Sequence, residues 1–143
     1  MAKFRFAGLL RARVAQETAA KAEVARSRFA ASQALAEVHR QAASLDAADQ
    51  VHYSNASALA SALATRQAMA AALSTAVGAA READAVVDER IADLAAAARQ
   101  RKAMDKLAER HAVTRRHKAE AAERSEQDDI VGARYIAKQE EQS

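Results

Sequence analysis

The sequence predicts an all-α fold, an antiparallel two-helix coiled-coil hairpin with a long overhanging second helix. Three observations carry that expectation. Alanine supplies 43 of 143 residues, proline is absent, and the three glycines stand far apart as Gly8, Gly78 and Gly132. Alanine is the strongest helix former, while proline and glycine are the usual interrupters. Two stretches place apolar residues on a three-four rhythm, and a short polar cluster separates them. The chain is expected to form one elongated domain over 1–143.

Each element follows in order. The first helix is expected over about 6–53. Within it Leu10, Val14, Val24, Ala31, Leu35, Val38, Ala42 and Leu45 share the a and d positions of one heptad frame. Glu17, Lys21 and Arg28 fall in the same frame, so the seam is expected to be imperfect near its start. The turn is expected over about 54–65. Tyr53-Ser54-Asn55-Ala56-Ser57 concentrates residues that cap helices and bond their own backbone; Ser61 and Thr65 leave its far boundary open, and Leu59 and Leu63, four apart, allow the second helix to begin near Ser57. The second helix is expected over about 66–138, with Leu73, Val77, Ala80, Val87, Ile91, Leu94 and Ala98 in frame and Asp84 as the exception. Met104 and Leu107 sit one position out, which predicts a phase shift in the packing. Gly78 is expected inside the helix, Gly132 to weaken or end it, and Gln139–Ser143 to fray.

The core is expected to be thin. Apart from alanine only 29 larger apolar side chains remain. Full burial of one contributes about 1.5–3 kcal/mol, enough for a narrow seam between two helices and too little for a rounded interior with an enclosed pocket.

Charge is uneven along the chain although the net value is only +3. Arg99, Arg101, Lys102, Lys106, Arg110, Arg115, Arg116 and Lys118 cluster with only Asp105 and Glu109 between them. The first thirteen residues carry Lys3, Arg5, Arg11 and Arg13 and no acid. Antiparallel pairing would set these two basic segments side by side at the open end, which predicts an acidic partner or, equally, a solvated basic face. From Gln41 to Ala80 the sole Lys or Arg is Arg66, and Tyr53, Leu59, Leu63, Met69 and Leu73 supply the larger apolar groups. These either close the seam or form a small apolar docking patch.

Chemistry for catalysis is missing from the pattern. No phosphate-binding glycine loop is present, and the dispersed histidines (His39, His52, His111, His117) lack ligand spacing. Neighbouring acids such as Asp88-Glu89 and Asp128-Asp129 point in different directions on a helix, so no acid/base pair converges. The expectation is a protein that is not an enzyme and uses no cofactor or metal. With 3% aromatic residues and no known module, nucleic-acid binding is not expected. Absence of cysteine fits a reducing compartment. The N-terminal string lacks a signal-peptide apolar run, and no stretch reaches about 18 consecutive apolar residues, so the cytoplasm is the expected location.

Phe4-Arg5-Phe6, Leu9-Leu10 and Arg13 resemble the opening of the FliJ family of flagellar type III export proteins. The length, the long second helix and the basic Lys102–Lys118 stretch followed by Glu120, Glu123 and Asp128-Asp129 are also similar. The alanine content is higher than that family usually shows. The resemblance implies a coiled-coil stalk, like that of rotary ATPases, whose helix ends enter the ring of the export ATPase. It further implies that the region near the turn meets the membrane-embedded export gate and that export chaperones bind, at the inner face of the cell membrane. On that basis Lys3, Arg5, Arg11, Arg13, Arg110, Arg115 and Arg116 are the candidates for the ATPase ring, and Tyr53, Leu63, Met69 and Leu73 for the gate. Phe4, Phe6, Leu9 and Leu10 would staple the first turn to the second helix or add apolar contact inside the ring. Two other expectations fit the residues: a generic structural coiled coil, parallel and dimeric, and an amphipathic protein lying on a membrane surface.

Overall fold

The computed structural model describes residues 5–142. Two helices, α1 (Ala7–Asp49) and α2 (Ala56–Glu140), pack against each other as a hairpin. Contacts gather into two units, Val14–Arg99 and Met1–Arg13 with Gln100–Ser143.

In the Val14–Arg99 unit the turn is much shorter than the sequence suggested. It occupies Gln50–Asn55: α1 stops before residue 53, and α2 begins at Ala56, ten residues ahead of 66 and beside the earlier start that Leu59 and Leu63 allow. Asn55 explains the early start. Its Oδ1 accepts the Ala58 N–H at 2.8 Å, satisfying a donor that the first helical turn leaves open. Ser61 and Thr65 then need no loop, because the Thr65 hydroxyl donates to the Ser61 carbonyl at 3.0 Å within the helix.

The seam of this unit also departs from the expected frame. On α1 the inner positions are Glu17, Ala20, Val24, Ser27, Ala31, Ala34, Val38, Gln41, Leu45 and Ala48. On α2 they include Ala62, Arg66, Met69, Leu73, Ala76, Ala80, Ala83, Val87, Arg90, Leu94 and Ala97. The column of Glu17, Val24, Ala31, Val38 and Leu45 matches expectation, as does that of Leu73, Ala80, Val87 and Leu94. The second column of each helix lies one residue earlier than expected. Val14, Leu35 and Ile91 are therefore 45%, 52% and 41% exposed, and the small residues Ala20, Ser27, Ala34, Ala76 and Ala83 take the interface. Small side chains allow close helix approach, toward the short end of the usual range of about 8–10 Å. Lys21 and Arg28 leave the seam under this frame, whereas Glu17 stays buried with Lys21 Nζ 3.6 Å from its carboxylate. Ser27 is buried too, its hydroxyl donating to the Val24 carbonyl at 2.9 Å.

In the other unit the inner positions of α2 are Arg101, Met104, Ala108 and His111, on the same three-four spacing. Met104 is buried and in frame, so no phase shift occurs; Leu107 is the outlier, 45% exposed. From Ala112 to Gln142 every residue is exposed while the helix continues to Glu140. Gly132 does not end it, because an α-helical backbone imposes no positive φ there.

Candidate partner-binding surfaces

The turn region belongs to the Val14–Arg99 unit, and one cation organises it. Arg66 lies on the seam face of α2, nearly three turns in. Its Nη2 donates to the Ala48 carbonyl at 3.0 Å, and its guanidinium sits 6.0 Å from the centre of the Tyr53 ring. The Nε is 3.1 Å from Asp49 Oδ1 and buried, yet its N–H is not aimed at that oxygen, so this contact is an ion pair without a hydrogen bond. A cation at the last carbonyls of α1 also complements the negative end of that helix. In the sequence Arg66 stands out by its isolation, with no role attached to it. A lone arginine between two helices, following a carboxylate in the last turn of the first, was the available signal.

The four candidates near the turn do not form one patch. Tyr53 is half-buried beneath Arg66, and Met69 and Leu73 are half-buried seam residues. Leu63 alone is substantially open, at 49%. Leu59 is likewise exposed.

The basic candidates lie in the second unit. Lys3 and Phe4 fall outside the described residues. Arg5, Arg11, Arg110, Arg115 and Arg116 are exposed, and among the described residues none of them is in an ion pair. Arg13 is half-buried and donates from Nη1 to Gln100 Oε1 at 2.7 Å, which ties α1 to α2. Arg5 and Phe6 line a shallow hollow with Leu107 and His111. Phe6 is thus both a partial staple and, being half exposed, still open to a partner. Leu10 turns inward and Leu9 outward. Arg101 pairs with Asp105 one turn away and is not available as the others are.

Further along α2, Ile130, Val131, Tyr135 and Ile136 are each more than half exposed. At 3.6 residues per turn these four spread around the helix instead of lining one stripe. Among the described residues no group of three or more His, Cys, Asp or Glu could hold a metal ion, and no helix is long and apolar enough to cross a membrane. Compared with protein-family models, with curated proteins and with solved structures, the chain matches none of them.

Proposed function

We propose that this chain is a non-enzymatic component of a bacterial flagellar type III protein export apparatus, acting in the cytoplasm at the inner face of the membrane. In this reading its basic segment enters the ring of the export ATPase as a stalk. The turn region contacts the export gate, and the chain also engages export chaperones. One observation supports the docking role: Arg5, Arg11, Arg110, Arg115 and Arg116, in one unit, are exposed and free of ion pairs. Charges left unpaired on a surface steer association with a surface of opposite sign. The partner's identity comes from the resemblance in Phe4-Arg5-Phe6, Leu9-Leu10 and Arg13.

The test is reversal of Arg115→Glu with Arg116→Glu in the full chain. Both side chains are exposed, so helicity measured by circular dichroism stays unchanged. Capture of a hexameric export ATPase, and stimulation of its ATP hydrolysis, should fall at least tenfold. Unaltered capture and stimulation would overturn the docking role of these arginines.

A further inference from the structure

The displaced seam exposes a surface. With the inner columns named a and d, the e positions are Val14, Lys21, Arg28, Leu35 and Ala42 on α1. On α2 they are Leu63, Ala70, Val77, Asp84, Ile91 and Ala98. In an antiparallel pair the e columns of both helices border the same side of the seam, and the g columns border the other. The two sides differ sharply. The g side carries Gln16, Glu23, Glu37, Thr65 and Asp93 among small residues, with Val86 its one larger apolar group, whereas the e side carries Val14, Leu35, Leu63, Val77 and Ile91 with Lys21, Arg28 and Asp84 as its charges. Apolar residues at a, d and e make a stripe wider than a two-helix seam can cover, the pattern of helices in larger bundles.

The charge breaks identify the occupant. Glu23 lies within electrostatic range of Arg90, and Ala48 is bonded by Arg66, which sets Arg28 level with Ala85–Val86 and Leu35 level with Gly78–Ala79. Asp84 is one or two residues from that level, about 1.5–3 Å along the axis, so Arg28 and Asp84 stand close to one height on one face, on opposite helices. Neither makes an ion pair among the described residues.

We infer that this face binds a second copy of the chain, with the two-fold axis running along the helices and both turns at the same end. That operation lays the α1 column of each copy on the α2 column of the other without changing height. Arg28 then meets Asp84 of the partner copy twice over, Leu35 meets Val77, and Val14 meets Ala98. Lys21 lays its aliphatic stem along Ile91. Reversing one copy end to end about this level would put Arg28 on Arg28 and Asp84 on Asp84, so charge selects the first arrangement. The inference uses only the Val14–Arg99 unit and is independent of the export reading.

Sedimentation equilibrium of the full chain tests it. The average mass should rise toward twice 15.3 kDa between about 1 and 100 μM. Arg28→Asp alone sets Asp against Asp, and Asp84→Arg alone sets Arg against Arg, so each should raise the dissociation constant at least tenfold. An equimolar mixture of these two variants should dimerise again, because each supplies the charges the other lacks. Leu35→Glu should remove dimerisation while leaving helicity intact, since Leu35 is 52% exposed in the single chain. A chain that stays monomeric at 100 μM overturns the inference and leaves the face to a different protein's helix. So does a mixture no heavier than its components.

Discussion

Arg66→Ala is the most informative single perturbation of the fold. Its guanidinium joins three features of the turn: the Ala48 carbonyl, the Asp49 carboxylate and the Tyr53 ring. A hydrogen bond from a charged donor contributes about 1.5–3 kcal/mol. The Asp49 pair, whose carboxylate is 59% exposed, adds only about 0.2–1 kcal/mol. The ring contact adds about 0.5–1 kcal/mol. These overlap through one side chain and do not add in full, so the substitution should cost about 2 kcal/mol. For a chain of this size that corresponds to a fall of about 8 °C in Tm. Urea unfolding followed at 222 nm at low chain concentration measures the loss. Arg66→Lys keeps the charge but not the fork and should recover less than half. Asp49→Ala should cost about 0.5 kcal/mol. A loss below about 0.5 kcal/mol for Arg66→Ala, or an equal loss for Asp49→Ala, would refute the idea that the arginine organises the turn through the α1 carbonyl.

Met104→Ala should destabilise by about 2–3 kcal/mol and Leu107→Ala by less than about 1 kcal/mol, because only the methionine is buried; the reverse order in thermal unfolding would restore the phase-shifted seam. Gly78→Ala should stabilise by about 0.5–1 kcal/mol, since an added Cβ meets nothing within 4 Å in a helical backbone, and urea midpoints decide it. Glu37 accepts from Gln41 Nε2 at 2.6 Å and from Arg40, and these bonds hold its carboxyl below the ordinary value of 4.5. A group depressed on folding stabilises above its unfolded value and loses that contribution as pH falls through the folded one. Subtracting the acid titration of Glu37→Gln from that of the native chain should therefore leave a loss of helicity below about pH 4.5, and a difference centred above it would contradict the assignment.

The fold class was legible because composition and rhythm agree: alanine without proline dictates long helices, and Tyr53–Ser57 marks the reversal. One heptad column on each helix was legible too. The other was misplaced because bulk drew it toward Val14, Leu35 and Ile91, which are exposed, while Ala42, Val77 and Ala98 in the same columns stay half-buried; the interface also uses alanine and serine, whose faces carry little hydrophobic signal. The far boundary of the turn stayed open because Ser61 and Thr65 read as loop residues while Leu59 and Leu63 read as helix, and the Thr65 hydroxyl bond to the Ser61 carbonyl along α2 decides for the helix. Arg115 and Arg116 could be flagged from charge density alone. The Arg66 contacts, and the common height of Arg28 and Asp84, depend on register between the helices, which no local pattern encodes.

A seam faced so largely with alanine has a mechanical consequence. Advancing one helix by a heptad, about 10.5 Å, would again set small side chains against one another in the layers built on Ala20, Ser27, Ala34, Ala76 and Ala83, so those layers offer little grip against sliding. Resistance to an axial pull is concentrated where Gln50–Asn55 joins the strands of the hairpin and Arg66 latches Ala48. Severing the backbone in that loop and replacing Arg66 would turn a fixed pair of helices into one that shears freely.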